Sequence, residues 1–311
     1  MVAWSAVRLI GAPTDVGAGL RGASMGPEAL RVAGLPEALS RQGLQVHDAG
    51  NLSGPANPMQ PPLHGHRHLH EVLAWNQVVY AATATALQSG ELPILLGGDH
   101  CLAMGSIGAV AAHCRRAGKA LRVLWLDAHA DFNTSAITPS GNLHGMPVAI
   151  LCGQGPAELV RLAAGDGHAA ALGPSELRLI GVRSVDPHER SMVHAHGLEV
   201  FDMRHLDEHG MRTVMQQALM GVDEHTHLHV SFDVDFLDPD IAPGVGTPVR
   251  GGPSYREAQL CMEMIADTGV LSSLDVVELN PARDQQNRTA ELVVDLVESL
   301  FGKSTLMRWR P

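Results

Sequence analysis

Short apolar runs alternate with amphipathic stretches along most of this chain. The apolar runs predict buried β-strands, which lie at residues 7–10, around 46, and at 93–96, 122–126, 177–182, 199–201, 227–232 and 274–279. A first helix is predicted to begin at Pro27. Apolar residues at helical spacing predict further helices over residues 69–87, 102–117, 255–267 and 289–300. Strands that alternate with helices indicate an α/β fold, in which a mostly parallel central sheet lies between two helical layers. Because no repeat or linker divides residues 1–311, a single domain with a three-layer α/β/α architecture is expected.

The composition narrows the class of partner. The chain has 311 residues, of which 45% are hydrophobic, and this is enough for one large core. Its net charge of −11 argues against a nucleic-acid partner, because phosphate binding requires clustered Lys and Arg. No segment approaches the roughly 18 uninterrupted apolar residues of a membrane-spanning helix, and residues 1–10 lack the basic segment of a signal peptide. We therefore expect a cytoplasmic protein that binds a small molecule, with no membrane association.

Three acidic motifs follow predicted strands. They are Gly97-Gly98-Asp99-His100, Asp127-Ala-His129-Ala-Asp131 and Ser231-Phe-Asp233-Val-Asp235. The carboxyl ends of parallel strands meet at one edge of a sheet, and alternate residues of an extended segment point to the same side. The motifs therefore offer six candidate metal ligands, which are His100, Asp127, His129, Asp131, Asp233 and Asp235. Asp99 precedes a predicted helix and is expected only to cap or orient it.

The ligand types predict the metal. Oxygen ligands favour Mg, Ca or Mn, and two added imidazoles shift the preference toward a transition ion such as Mn²⁺. Six protein ligands are too many for one ion with an open position, but they suit two ions that share bridging carboxylates. Two ions about 3.5 to 4 Å apart can hold a bridging hydroxide, because metal binding lowers the pKa of water from 15.7 toward about 7. The sequence thus predicts two Mn²⁺ ions per subunit and a hydrolytic reaction.

Nearly the whole chain resembles the ureohydrolase family of arginase, agmatinase and their relatives. The resemblance rests on these three motifs and extends from Gly26-Pro-Glu-Ala29 to Glu278-Leu-Asn-Pro281. These enzymes split a guanidine to release urea. The resemblance implies an arginase-like catalytic domain that forms a homo-oligomer, either a trimer or a hexamer. It also implies two ligand sets: His100, Asp127, Asp131 and Asp233 for the first Mn²⁺, and Asp127, His129, Asp233 and Asp235 for the second. Asp127 and Asp233 would bridge the ions.

The segment from Asn133 to Gly145 resembles the arginase pattern, in which Asn133, Ser140 and Asn142 receive the amino-acid end of arginine. Asp186 and Glu189 match positions that meet the α-amino group directly or through water. A substrate without an α-carboxylate would leave donors unpaired at a cost of about 1 to 3 kcal/mol each. The pattern favours arginine, with an agmatinase or guanidinobutyrase-type ureohydrolase as the alternative. Asn and Ser are also common turn residues, which is the simpler explanation of their presence.

Three further residues complete a mechanistic hypothesis. Glu278 ends the last predicted strand, where its carboxylate matches a guanidinium in a two-pronged pair. His144 is suited to proton transfer near neutral pH, and Thr247 matches a family position near the substrate. In this hypothesis a metal-bridging hydroxide attacks the guanidinium carbon of L-arginine, Asp131 passes a proton to the leaving nitrogen, and L-ornithine and urea depart.

Two other classes of protein have weaker signals. The loop Gly17-Ala-Gly19-Leu-Arg-Gly22 satisfies the G-x-G-x-x-G pattern of a nicotinamide-dependent dehydrogenase, but the next helix opens only at Pro27, too late to meet a pyrophosphate. The run His64-Gly-His66-Arg-His68-Leu-His70 suggests a non-catalytic metal-binding protein, although it also suits a solvated lead-in to a helix.

Two residues depart from the commonest pattern of the family. Cys101 stands where Ser is frequent, so we hypothesise that oxidation of its thiol disturbs the metals. Phe236 stands where arginases often carry Gly and agmatinases a bulky residue, which weakens the prediction of arginine as substrate.

Overall fold

The computed structural model describes residues 4–165 and 167–304. Of the domain predicted over residues 1–311, residues 1–3, 166 and 305–311 lie outside the described residues. One sheet has the spatial order β2-β1-β3-β8-β7-β4-β5-β6, and all its neighbouring strands are parallel. The strands are β1 (Ala6–Ala12), β2 (Gln45–Asn51), β3 (Leu92–Gly97), β4 (Ala120–Leu126), β5 (Leu177–Val182), β6 (Glu199–Asp202), β7 (Thr226–Asp233) and β8 (Leu271–Val277).

Helices cover both faces of this sheet. On one face lie α1 (Gly26–Val32), α2 (Leu35–Arg41), α8 (Met203–Ala218), α9 (Tyr255–Thr268) and α10 (Arg288–Leu300). On the other lie α3 (Leu69–Gln88), α4 (Ala103–Ala117), α5 (Pro147–Leu151), α6 (Ala157–Ala164) and α7 (Pro187–Ala195). The predicted three-layer α/β/α architecture is confirmed. Within the described ranges, no helix combines the length and the apolar character needed to span a bilayer.

Burial on both faces explains why the strands appear in the sequence as continuous apolar runs. In β4, Val123 and Trp125 pack into the core under one helical layer, whereas Leu124 and Leu126 pack into the core under the other. A strand with two covered faces has no polar side, so polar residues can begin only where the strand ends. The polar motifs are thereby concentrated at the strand termini.

The position of the last strand differs from the prediction. β8 begins at Leu271 and ends at Val277, whereas the apolar run predicted residues 274–279. Ser272 and Ser273 are polar but buried, so they extend the strand at its start. Glu278 has a φ of +63°, which breaks the extended backbone immediately after Val277. The turn places the Glu278 carboxylate above the end of the strand.

Candidate metal centre and substrate cavity

A cavity of about 110 Å³ opens above the carboxyl ends of four neighbouring strands, β3, β8, β7 and β4. These strands lie in the middle of the sheet, although they are far apart in sequence. Most of the predicted site residues line the cavity: His100, His129, Asp131, Asn133, His144, Asp186, Glu189, Asp233, Thr247 and Glu278. Asp127 and Asp235 are fully buried beside it. Ser140 and Asn142 are not among the described residues that line it.

The three acidic motifs share one local structure. Asp99 Oδ1 accepts a hydrogen bond from Cys101 N (3.0 Å), Asp127 Oδ1 from His129 N (2.6 Å), and Asp233 Oδ1 from Asp235 N (2.7 Å). Each aspartate thus turns the chain at the end of its strand by binding the amide two residues further on. For Asp233 and Asp235 the expected extended geometry is wrong, because Val234–Phe236 forms a 3-10 helical turn. His129 instead pairs with Ser184 in an isolated parallel β-bridge, and the chain leaves the extended region at Asp131, which has a φ of +49°.

The first cluster forms around one imidazole nitrogen. His100 Nδ1 lies 3.1 Å from Asp127 Oδ2, 3.2 Å from Asp131 Oδ2 and 3.1 Å from Asp233 Oδ2. His100 is 1% exposed, and among the described residues its Nδ1 has no hydrogen-bond partner. Three carboxylates that approach one nitrogen without hydrogen-bond geometry form a shell suited to a shared cation. The structure therefore brings together all four ligands predicted for the first ion.

The second cluster forms around His129. Its Nδ1 lies 3.2 Å from Asp235 Oδ2 and 3.4 Å from Asp127 Oδ1. Asp127 thus directs one oxygen to each cluster, which is the geometry that a bridging carboxylate requires. Asp233 directs Oδ2 to His100 and uses Oδ1 to bind the Asp235 amide. The bridging role of Asp233 stays a prediction.

Electrostatics at this site support cation binding. Burial and the neighbouring Asp127 carboxylate raise the pKa of Asp131 to about 7. Burial and the carboxylates of Asp235 and Asp127 raise the pKa of Asp233 well above its usual range. Both shifts have the same physical cause: several carboxylates that share a dry space cannot all carry a charge without a counter-ion. Two divalent cations would neutralise four aspartates, so the residues present fit a pair of metal ions.

Neighbouring side chains fix the orientation of the ligands. His100 Nε2 lies 2.8 Å from Ser231 Oγ, and the His100 ring stacks on Trp125 with centroids 4.0 Å apart. Trp125 Nε1 also donates to Asp127 Oδ2 at 2.9 Å. Partners of this kind hold a ligand ring and its tautomer in place. The sequence offered a signal for Ser231, which lies two residues before Asp233, but none for Trp125.

Arg183 is a second residue that sequence reasoning missed. Its guanidinium is half-buried and donates to the backbone carbonyls of Gly181, Asp235, Phe236, Leu237 and Val249 at 2.7 to 3.2 Å. These bonds tie together the loop that carries Asp235 and Thr247. Thr247 in turn donates to Asp235 Oδ2 at 2.9 Å, so Thr247 both lines the cavity and orients a candidate ligand.

Glu278, which is buried, and His144, which is partly buried, form a pair beside the candidate metal centre. His144 Nδ1 lies 2.8 Å from Glu278 Oε1, and the same oxygen accepts a hydrogen bond from His100 N at 2.8 Å. Burial alone would lower the pKa of His144, but the Glu278 carboxylate raises it to about 9. The pKa of Glu278 is lowered despite burial, chiefly by His144. Because Oε1 already has two partners, Oε2 is the oxygen left for a guanidinium, and a two-pronged pair is disfavoured.

The far side of the cavity has the residues predicted for the amino-acid end. Asn133 Nδ2 donates to Asp186 Oδ2 at 3.1 Å, and Asn133 Oδ1 is buried with no partner among the described residues. The free atom is thus an acceptor that suits an ammonium group. Both oxygens of Glu189 accept backbone amides, from Phe132 and Asp186, so Glu189 supports this corner of the site.

Ser140 and Asn142 lie apart from this corner. Ser140 is exposed, and its Oγ accepts a hydrogen bond from Asn142 N at 3.2 Å. Asn142 Oδ1 accepts a hydrogen bond from Arg67 Nε at 2.8 Å, which uses the amide oxygen within the protein. Neither residue lines the cavity above the strand ends, because the chain between Asn133 and His144 turns outward and returns to the cavity only at His144. Their contact with the substrate stays a prediction.

The backbone at two site residues is strained. Asp131 has a φ of +49° and Glu278 a φ of +63°, a region that non-glycine residues rarely occupy. Such conformations cost about 1 to 3 kcal/mol each and persist where surrounding contacts hold them. Nothing in the sequence indicated these angles, yet they direct both carboxylates into the cavity.

The weaker motifs have structural explanations. Gly17 N donates to Asp99 Oδ2, and a β-carbon on Gly17 would lie 2.7 Å from Asp99 Oδ1, so Gly17 allows a close approach of two loops. In the histidine run, His68 binds the carbonyl of Val16 and the amide of Gln60. Within residues 4–165 and 167–304, the groups of three or more ligand-type side chains lie at the metal centre and not in that run.

Two departures from the family pattern are accommodated without entering the cavity. Phe236 is buried, and its ring fills the space over Gly181, where a β-carbon would lie 2.5 Å from the ring. Phe236 therefore does not narrow the substrate site. Burial and the nearby Asp99 carboxylate raise the pKa of the Cys101 thiol well above its usual value, which disfavours the reactive thiolate.

Comparison with known proteins gives consistent matches. The family model described as "Arginase family" matches residues 5–302. The arginase of Brucella melitensis biotype 1 is 44% identical over 305 residues, which cover 97% of each chain. A crystal structure of arginase from Bacillus subtilis has a TM-score of 0.89 at 40% identity and covers 97% of this chain and 100% of its own. The arginase structure from Bacillus caldovelox has a TM-score of 0.90 at 38% identity, with the same coverage.

Proposed function

Because this chain belongs to the arginase family, we propose that it is an arginase, a hydrolase that converts L-arginine and water to L-ornithine and urea. The observation that carries this proposal is a single cavity with two kinds of recognition. Paired His and Asp clusters and Glu278 lie at one end, and Asp186 with the free Asn133 Oδ1 lies at the other. A guanidinium at one end and an α-amino group at the other are the two cationic groups of arginine.

When bound, two metal ions would supply Lewis acidity and activate water. The proposed ligands are His100, Asp127, Asp131 and Asp233 for the first ion, and Asp127, His129, Asp233 and Asp235 for the second. Oxygen ligands with added imidazole support Mn²⁺ as the ion. Family membership supports a binuclear centre, and the clustered ligands agree with it.

The protein side chains orient the substrate and move protons. Glu278 Oε2 accepts an N–H of the guanidinium, and the lowered pKa of Glu278 keeps this carboxylate ionised near neutral pH. Asp131 directs Oδ2 toward His100, so its other oxygen, Oδ1, is the one proposed to accept a proton and return it to the departing nitrogen. His144 keeps a proton on Nδ1 against Glu278 Oε1, and its side chain is 14% exposed, which allows exchange with solvent through Nε2.

The substrate is tested by comparing kcat/KM for L-arginine, agmatine and 4-guanidinobutyrate with Mn²⁺ present. All three carry the guanidinium; agmatine keeps the amino group and lacks the carboxylate, whereas 4-guanidinobutyrate lacks the amino group and has its carboxylate one carbon nearer the guanidinium. Loss of the amino group leaves the buried Asn133 Oδ1 unpaired, at a cost of about 1 to 3 kcal/mol. Loss of the carboxylate removes the group that Ser140 and Asn142 are predicted to bind. We expect arginine to exceed each analogue by about 10- to 100-fold. A preference for agmatine would instead identify an agmatinase, and equal rates would contradict recognition of the amino-acid end.

Removal of the metal tests the ion content. We expect protein treated with a chelator to have a lower Tm than the same protein with Mn²⁺ restored, because cations relieve the repulsion among buried carboxylates. A free Mn²⁺ concentration of 100 times Kd stabilises by about 2.7 kcal/mol for each ion bound. Scanning calorimetry with elemental analysis measures both quantities. An unchanged Tm together with no bound manganese would contradict the centre.

A cytoplasmic location and assembly into a homo-oligomer, a trimer or a hexamer, stay predictions. Sedimentation of the purified protein measures the second of them.

A further inference from the structure

A loop at residues 60–68 packs against residues 138–142, which include two of the residues predicted to bind the amino-acid end of arginine. Gly141 allows the close approach, because a β-carbon there would lie 2.6 Å from the Cβ of Pro62. The loop carries Arg67, whose backbone N donates to Gly141 O at 2.7 Å. The packing of the two segments therefore holds Arg67 beside the predicted substrate-binding residues.

The Arg67 side chain fixes the orientation of the Asn142 amide. Arg67 Nε donates to Asn142 Oδ1 at 2.8 Å, and Arg67 Nη1 donates to Gln60 O at 2.7 Å. A guanidinium carries only donors, so the atom of Asn142 that faces it must be the amide oxygen. The amide nitrogen is directed to the other side, where it lies 3.5 Å from Nε2 of His144, a residue that lines the substrate cavity. Arg67 therefore presents the Asn142 N–H₂ group to the edge of that cavity.

Ser140 is oriented as a second donor on the same segment. Its Oγ accepts a hydrogen bond from Asn142 N at 3.2 Å, and its backbone N donates to Thr138 Oγ1 at 3.3 Å. Because Oγ already accepts the Asn142 amide, the hydroxyl hydrogen can be donated elsewhere. No acceptor for it is found among the described residues. Ser140 and Asn142 thus offer two hydrogen-bond donors within three residues of the chain.

The charge of Arg67 indicates the sign of the group that these donors bind. Arg67 is partly buried, and both of its side-chain acceptors, on Asn142 and Gln60, are neutral. In the part of the chain that the structure describes, no carboxylate forms an ion pair with it, although the net charge of the chain is −11. A cation that is partly withdrawn from water is stabilised by a nearby anion. The corner at Asp186 carries the opposite charge and suits the α-amino group instead.

We propose that Arg67 determines specificity for the α-carboxylate of arginine by fixing the Asn142 amide as a donor to that carboxylate. Arg67 is a positioning residue, which acts through Asn142 and makes no contact with the substrate itself. This inference rests on the proposed function, because the α-carboxylate belongs to the proposed substrate. The sequence gave no signal for this role, since Arg67 stands inside the histidine run at residues 64–70.

The test compares L-ornithine with 1,4-diaminobutane, which is ornithine without its carboxylate, as inhibitors of arginine hydrolysis by the Mn²⁺-loaded protein. Arg67→Met keeps the length of the side chain and removes its donors. We expect the inhibition constant of ornithine to rise by about tenfold and that of 1,4-diaminobutane to stay within about twofold. KM for arginine should rise while kcat changes by less than about twofold, because the lost contact is uniform binding. An unchanged ornithine constant, or equal losses for both inhibitors, would overturn the proposal.

The matched control is Arg116→Met, which removes the same charge from an exposed position in the last turn of α4. This end of α4 lies near the start of β4, at the opposite edge of the sheet from the site, so both inhibition constants should stay unchanged. A double mutant tests action through Asn142. In the Asn142→Ala background, Arg67→Met should add less than about twofold to the ornithine constant. Additive losses would contradict the positioning role.

A second variant, Asn142→Asp, covers the case in which Arg67→Met does not fold, as judged by circular dichroism. The aspartate still accepts a hydrogen bond from Arg67, but an oxygen replaces the donor Nδ2. Ornithine inhibition should therefore weaken by about tenfold or more, with no loss for 1,4-diaminobutane. An unchanged ornithine constant in this variant would overturn the proposal. Failure of the proposed function has a different signature: the wild-type protein with Mn²⁺ would form no ornithine from arginine.

Discussion

Replacement of Asp127 with Asn is expected to reduce the metal content from two ions to one or fewer per chain. The same change should lower kcat/KM for L-arginine by about 10³-fold or more, equivalent to about 4 kcal/mol. Asp127 has one oxygen 3.1 Å from His100 Nδ1 and the other 3.4 Å from His129 Nδ1, so it faces both clusters. Asn has nearly the same shape, but it lacks the charge and directs an amide N–H₂ group toward one of the cations. Elemental analysis and steady-state kinetics measure the two effects.

The matched control is Asp99→Asn, which changes a buried aspartate in the neighbouring motif. Both Asp99 oxygens accept backbone amides, from Gly17 and Cys101, so neither is available to a metal. We expect Asp99→Asn to keep two ions per chain, with any loss appearing in Tm. If Asp99→Asn lost metal while Asp127→Asn retained two ions, the assignment of the ligands would be wrong.

Replacement of Glu278 with Gln is expected to lower kcat/KM for L-arginine by roughly 10²- to 10³-fold while two ions remain bound. Loss of one partner of a buried ion pair costs about 3 to 5 kcal/mol, and the guanidinium is the partner left without its carboxylate. The change also removes the charge that raises the pKa of His144 to about 9, so His144 would lose its proton at a lower pH. Kinetics on arginine and manganese analysis test the prediction.

Inhibition by L-ornithine provides the discriminating control for Glu278→Gln. Ornithine lacks the guanidinium, so we expect its inhibition constant to stay within about threefold of the wild-type value. Glu298→Gln, which alters a buried glutamate paired with Arg41 and Lys303 outside the site, should leave kcat/KM nearly unchanged. An equal loss of ornithine binding in Glu278→Gln would mean that the whole cavity had collapsed.

The architecture was predictable because each central strand is buried on both faces. Such strands must be apolar throughout, so runs such as residues 93–96 and 122–126 stand out against the polar segments between them. The first and last residues of β8 were harder to predict. Its buried Ser272, Ser273 and Asp275 resemble loop residues, and the apolar Leu279 lies beyond the turn at Glu278.

The candidate ligands were predictable from type and position, but their geometry was not. An Asp at a strand end can cap the amide two residues later, and the Asp-x-His and Asp-x-Asp spacings both follow from that turn. Residue type alone would not have identified which histidines belong to the candidate metal centre. His227 and His229 lie in β7 and are as buried as His100, yet they bind Ser273 and lie outside the metal centre.

The sequence by itself determined the fold class, the edge of the sheet that carries the candidate site, and the six candidate metal ligands. These follow from local causes, because strand burial and turn formation depend on residues close together in the chain. The tertiary structure alone decided which oxygen faces which cluster, that Glu278 Oε1 is already occupied by His144 and His100, and that Arg67 fixes the amide of Asn142. The contacts of Glu278 with His144 and His100 join residues more than a hundred positions apart, and the geometry of the site depends on the order of β3, β8, β7 and β4 in the sheet.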